Sequence, residues 1–256
     1  MKKILAVLCV LLCSLCLVSA EGVTSTEVNV AYQFPVAAML SGKVTYTIPC
    51  LTGDGSNPLL AGNNLALAAY GEVNPLAAGA DFSATLTPIP FLVFTGGVYT
   101  GSGWNFMGVE GIGASEDHIP LYYKPYAKVL FQFDTGAVVP GDWTHVVTQW
   151  TYQVQYHNVA GLDTGREFTW MGDTCTAVPG WYASGLVGYQ LPAVPVIDMA
   201  GVLLEWEGTY AAGCRRSRIS PMMQAVITEQ DSLAAMMVFS PENGYETFAV
   251  QYTHRF

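Results

Sequence analysis

The stretch "THVVTQWTYQVQYH" (residues 144–157) alternates with a period of two. Val146, Trp150, Tyr152, Val154 and Tyr156 fall on one side of an extended chain; His145, Gln149, Thr151, Gln153, Gln155 and His157 fall on the other. Successive side chains of a strand point to opposite faces, so this spacing predicts a strand with one apolar and one polar face. The strand is longer than most in soluble sheets. Spacing alone does not say which face meets water.

The same pattern recurs outward from this stretch. In "LYYKPYAKVLFQFD" (121–134), Val129, Phe131 and Phe133 oppose Lys124, Lys128, Gln132 and Asp134, and the turn "VVPGD" (138–142) joins this segment to the first as a hairpin. In "EVNVAYQFPV" (27–36), Val28, Val30, Tyr32, Phe34 and Val36 oppose Glu27, Asn29, Ala31 and Gln33, and in "KVTYTI" (43–48) Val44, Tyr46 and Ile48 oppose Lys43, Thr45 and Thr47. In "VLLEWEGTY" (202–210), Val202, Leu204 and Trp206 oppose Glu205 and Glu207. The last residues, "YETFAVQYTHRF", place Phe248, Val250, Tyr252, His254 and Phe256 together, so the chain stops on a strand.

The N-terminus reads as a secretory signal peptide over residues 1–20: basic Lys2 and Lys3, an apolar run from Ile4 to Val18, and the small-residue site Val18-Ser19-Ala20. Its Cys9, Cys13 and Cys16 leave with it, and residues 21–256 are expected to form one domain. That leaves eight basic residues against twenty acidic ones, a formal charge of −12, which argues against nucleic acid and acidic membrane surfaces as partners. Charged residues are only 12% of the whole chain, about half the usual share. A water-soluble protein would struggle to cover its surface with so few. No apolar run beyond the signal reaches the ~18–20 residues of a membrane helix, but a closed β-barrel also satisfies every backbone hydrogen bond internally and spans a bilayer without one.

A soluble β-sandwich shows the same alternation with its apolar face turned inward. Three features favour the barrel: apolar faces rich in Tyr and Trp, polar faces rich in Gln, Thr and Gly rather than Lys and Glu, and a chain ending on a strand with terminal Phe256. The expected fold is all-β, a transmembrane antiparallel up-and-down barrel. Strands are expected near 26–36, 43–50, 63–73, 78–88, 91–101, 121–137, 144–157, 180–191, 198–211, 216–228, 231–240 and 244–256. Twelve is an even number, as single-chain bacterial barrels have. With both termini on the periplasmic side, the short joins fall inside and the long joins, 102–120 and 158–179, fall outside. The join 51–62 is long on the wrong side, which keeps ten strands as an alternative. "REFTWM" (166–171) reads as a strand extension above the membrane.

The last nine residues resemble the C-terminal signature of bacterial outer-membrane barrels, recognised by their assembly machinery: terminal Phe256 with Tyr252, Val250 and Phe248 at alternate positions upstream. His254 departs from that pattern. "TPIPFLVFTGGVYTGSGWN" (87–105), "FQFDTGAVVPGDWTHVV" (131–147) and "SGLVGYQLP" (184–192) resemble segments of uncharacterised spirochaete outer-membrane barrel proteins. The resemblance implies the fold and an outer-membrane location, and no ligand.

Candidate functional residues follow from the polar faces. Lys43, Asp81, Lys124, Lys128, Asp134, Glu205 and Glu207 are expected to face the lumen, because a Lys or Arg facing mid-bilayer lipid costs ~2–4 kcal/mol. Cys175 and Cys214 fall in neighbouring outer loops and are a candidate disulfide; two free thiols are the alternative, and Cys50 is left over. Their spacing holds no CxxC metal or redox site. Asp142 and His145 are close in sequence, but no nucleophile motif or metal-ligand pair accompanies them, so no enzyme, metal or cofactor is expected. The leading expectation is a small outer-membrane channel for small hydrophilic solutes, with Lys124 and Lys128 contacting anionic groups and the excess of acid giving a mild cation preference. The alternative is a non-conducting barrel whose outer loops act as an adhesin or structural surface, carrying exposed Trp104, Phe106, Phe168 and Trp170.

Overall fold

The computed structural model describes residues 22–34, 37–49, 63–113, 120–141, 143–192 and 196–256. The expected signal peptide, Cys50, the join 51–62 and Asp142 lie outside them. Sixteen strands occur among the described residues: β1 (Val23–Phe34), β2 (Ala37–Pro49), β3 (Asn64–Val73), β4 (Ala77–Ile89), β5 (Leu92–Gly103), β6 (Ile112–Gly113), β7 (Tyr122–Asp134), β8 (Val146–Tyr156), β9 (Asn158–Val159), β10 (Glu167–Trp170), β11 (Asp173–Thr176), β12 (Pro179–Gln190), β13 (Ile197–Thr209), β14 (Gly213–Val226), β15 (Asp231–Ser240) and β16 (Gly244–Arg255).

Twelve of these form a closed antiparallel wall, β1–β5, β7, β8 and β12–β16, in which sequence neighbours are also spatial neighbours. β5 pairs with β7, and β16 pairs with β1 from Glu27 opposite Arg255 to Phe34 opposite Phe248. The twelve-strand count holds, and β16 closes the sheet against β1. The short β9 is an extra strand at the end of β7, and β6, β10 and β11 form a separate three-stranded sheet in the long loops. The extension expected at 166–171 is β10 itself.

Boundaries differ where local signals are weak. β2 begins at Ala37, well before the expected 43, because Ala38 and Leu40 pair across to Tyr32 and Val30. "AAMLSG" is too uniformly small to show a period; its place in the ladder comes from β1. β7 stops at Asp134, where the side chain accepts a hydrogen bond from Gly136 N at 2.8 Å and caps a 3-10 turn over Thr135–Ala137.

The apolar faces point outward. Trp150, Tyr152 and Val154 of β8 are exposed, Trp150 to 49%, as are Val30, Tyr32, Phe82, Phe94, Phe131, Val187 and Met223 on other strands. The inward positions hold buried polar residues, among them Asn29, Ser41, Thr95, Gln155 and Ser220. This is the reverse of a sandwich, and it decides the question that alternation leaves open. The largest buried apolar cluster, Tyr122, Val159, Phe168 and Ala177, sits under the long loops rather than along the strands. The wall is held by its ladder, with the outward face left for an apolar solvent.

The arrangement predicts opposite costs for adjacent positions. In the barrel refolded into lipid vesicles, Val187→Arg on the outward face is expected to lower unfolding stability by ~2–4 kcal/mol, and Gln153→Arg on the inward face to cost well under half of that. Equal, small effects in urea titrations would contradict an outward lipid-facing surface.

Candidate functional site: the lumen and its cap

Inward side chains line up in rows because residues directly opposite on antiparallel strands share a face. One row runs Lys43, Tyr70, Asp81, Tyr99, Lys124 across β2, β3, β4, β5 and β7. It borders a cavity of about 650 Å³ that also meets Glu72, Tyr126 and Lys128. Four of the expected lumen residues, Lys43, Asp81, Lys124 and Lys128, therefore meet in one space.

Tyrosines hold the acids of this lumen. Tyr70 and Tyr99 donate their hydroxyls to Glu72 at 2.5 and 2.7 Å, Tyr126 donates to Asp81 at 3.0 Å, and Tyr182 donates to Glu205 at 2.7 Å. Among the described residues no carboxylate lies within 4 Å of the ammonium of Lys43, Lys124 or Lys128. Lys124 Nζ instead stands 5.5 Å from the Tyr99 ring centroid. The direct lysine–glutamate pairing that a filled interior would use is absent there, so the ammonium donors are not taken up by described carboxylates.

The other expected residues separate. Glu207 lines a second cavity of about 310 Å³ with Asp173, Cys175, Arg215 and Arg216. Asp134 stands apart at the short-turn rim, bonded to His145 Nδ1 at 2.9 Å. Sequence reasoning missed the tyrosines and the two arginines. Parity placed Tyr70 with Glu72 and Tyr126 with Lys124, but a Tyr on a polar face carries no signal of its own.

A hairpin from the long loop folds over the lumen. β10 and β11 meet in a turn whose central residues, Met171 (φ 53°) and Gly172 (φ 84°), are both left-handed, as a type I′ hairpin turn requires. Trp170 stacks on Tyr122 at 4.2 Å and 9°, edge-on to Tyr99, and Met171 reaches the large cavity with its sulfur 3.8 Å from Asn74 Nδ2. A Cβ at Gly101 would meet the Ala78 carbonyl oxygen at 2.8 Å and the Trp170 ring at 2.9 Å, so a side chain there would crowd both the neighbouring strand and the hairpin. Phe168 and Trp170, expected as exposed aromatics, are drawn into this cap. Trp104 and Phe106 are exposed as expected.

The candidate disulfide is not formed; Cys175 and Cys214 are two free thiols, the alternative. The physical reason is an irregularity in the β13–β14 ladder, where Glu207 faces Arg216 and Gly208 faces Cys214, leaving Arg215 unpaired between them. The extra residue sends Cys214 to the exposed side, while Cys175 stays against the inner cavity. Burial, with the Asp173 carboxylate next in effect, pushes the Cys175 thiol up to about 11. Thiol labelling of the folded protein near pH 7.5 is therefore expected to modify Cys214 and spare Cys175; equal rates or an oxidised pair on a non-reducing gel would contradict the arrangement.

His157 follows the last residue of β8 under the cap, its Nδ1 2.8 Å from the Tyr122 hydroxyl. Burial, and then the Lys124 charge, lowers its pKa to about 4. A folded value below the unfolded one means that the folded cap binds fewer protons. Its contribution to stability is present above about pH 6.5 and is lost as pH falls toward 4. Cleavage of loop 158–178 by an acid-tolerant protease is expected to rise across that window and to lose that dependence in His157→Gln.

No protein-family model matches this chain, and no curated protein matches its sequence. Among solved structures, a KdgM porin in complex with disordered oligogalacturonate is 8% identical, with 91% of this chain and 98% of that one covered and a TM-score of 0.45. The NanC porin is 9% identical over 90% and 98%, at 0.45. The beta domain of the Bordetella autotransporter Brka is 8% identical over 92% and 98%, at 0.46. These similarities are to bacterial porins and an autotransporter barrel, and at TM-scores below 0.5 the fold assignment rests on the closed sheet itself.

Proposed function

We propose that the protein is an integral outer-membrane barrel whose lumen forms a small, porin-like channel for hydrophilic solutes. The observation that carries this reading is a cavity inside a closed wall, into which Lys43, Lys124 and Lys128 project with no carboxylate of the described residues within 4 Å. A barrel filled only to stabilise itself gains little from leaving three ammonium groups unpaired. The outward apolar face supports a lipid surround, and the signal peptide supports export. Phe248, Val250, Tyr252 and Phe256, on the strand that closes against β1, are the surface on which the assembly machinery would recognise the chain.

In this reading both termini are periplasmic and the β10–β11 hairpin lies at the outer mouth, where Trp170 narrows the path. The excess of acid over the whole chain favours cations, but the acids nearest the cavity are engaged by tyrosine hydroxyls, and this supports contact of the lysines with anionic solutes. A second reading, a non-conducting surface barrel acting through its loops, keeps the exposed Trp104, Phe106 and Met107 and loses Phe168 and Trp170 to the cap.

Single-channel recording of the refolded protein in a planar bilayer separates the two. Discrete steps are expected, with Lys124→Met/Lys128→Met shifting the reversal potential in a salt gradient toward cation preference and Trp170→Ala enlarging the steps. Silence from protein shown to be inserted would overturn the channel and favour the loops, whose protease removal should then abolish partner binding.

A further inference from the structure

The register irregularity that turns Cys214 outward has a second result. In an uninterrupted strand, Arg215 and Arg216 would point to opposite faces. Here the ladder steps from Glu207 opposite Arg216 to Gly208 opposite Cys214, and both arginines line the second cavity. Bulges of this kind give up ladder pairing and re-aim side chains, and they recur beside functional sites. Two consecutive guanidinium groups are thereby brought to one face at the mouth of the lumen.

Neither group is consumed by the fold. Arg215 Nη1 is 3.5 Å from the Thr176 hydroxyl, and among the described residues no carboxylate lies within 4 Å of its guanidinium. Arg216 Nη2 is 3.7 Å from Asp173 Oδ1 in a pair whose side chains are 39% and 66% exposed; such long, solvated pairs contribute little. Arg218, two residues on, shows the contrast: its Nε donates to Glu246 at 3.1 Å in a half-buried pair that reads as structural. Thr174, Thr176, Gln155 and His157 border the same space, together with the acids Asp173 and Glu207. Its volume, about 310 Å³, is that of a small-molecule site.

We infer that this cavity is a binding site for small carboxylate anions, held by the Arg215–Arg216 pair and placed ahead of Lys124 on the path into the lumen. The planar guanidinium offers parallel N–H donors matched to the two oxygens of a carboxylate, which a lysine does not. Asp173 and Glu207 oppose any anion in this space, and a polycarboxylate offsets their repulsion by engaging both arginines, where a monocarboxylate engages one. The inference rests on the channel reading for the solute's destination, and not for its binding.

Citrate is the probe. Equilibrium dialysis of the refolded, detergent-solubilised barrel against labelled citrate is expected to show one saturable site, weakened at least about tenfold, about 1.4 kcal/mol, in Arg215→Gln/Arg216→Gln and unchanged in Arg166→Gln, a loop control. Should the double variant fail to fold, Arg215→Gln alone, which breaks no ion pair, is expected to weaken binding severalfold. Absence of a saturable site, or citrate affinity indifferent to these substitutions, would overturn the inference. Bilayer recording of the same preparations keeps the two readings apart. A barrel that binds citrate and never conducts contradicts the channel alone; one that conducts without binding citrate contradicts the carboxylate site alone.

Discussion

The seam between β1 and β16 is the constraint on which the rest of the structure depends. Until β16 lies against β1, two strands present unpaired backbone donors and acceptors at the sheet edges; once paired, from Glu27–Arg255 to Phe34–Phe248, the wall has no edge. A closed wall fixes which side of each strand is inside. Because the side-chain period is two, a slip of one residue in the pairing of any one strand would turn that strand's own inward set outward, Lys124 and Lys128 on β7 for example. Confinement of charge to the lumen therefore depends on the register of every ladder around the wall. His254, on the outer face of the closing strand, is accommodated by Asp231 Oδ1 2.8 Å from its Nδ1 and by the edge-on Phe256 ring, so the one departure from the terminal pattern is met by a partner on the adjacent strand.

Inside that wall, tyrosine and lysine divide the work. Tyrosine hydroxyls reach Glu72, Asp81 and Glu205, mostly from other strands, and hold them at the wall. The lysines are left with their donors directed at the cavity. A sum of charge over the chain treats these groups alike, but the charge presented to the cavity is set by which of them already have close partners. The same applies at the mouth, where Arg218 is tied to Glu246 while Arg215, among the described residues, has a threonine hydroxyl and no carboxylate in reach.

The cap converts a loop into part of the lumen. Trp170 on Tyr122, and Phe168 with Val159 and Ala177, form the apolar cluster that the strands themselves lack. His157 sits at its base, and its low pKa makes the closed cap a state of neutral and higher pH. The hairpin therefore joins access to the lumen and stability of the mouth in one element.

Period-two spacing made most of the wall legible in the sequence: the strand around Trp150, the hairpin through "VVPGD", the inward set of Lys43, Asp81, Lys124, Lys128, Glu205 and Glu207, and the strand count. Alternation is a local property of an extended backbone, so it can be read a few residues at a time. What the tertiary structure decided are contacts between residues far apart in the chain: which face turns outward, the burial of Phe168 and Trp170 against Tyr122, the tyrosine partners of the acids, and the separation of Cys175 from Cys214 by one unpaired residue in the β13–β14 ladder. Those depend on where the wall closes and where a register slips, and neither leaves a mark in any short stretch of sequence, because both are set by the pairing of strands and not by the residues of either strand alone.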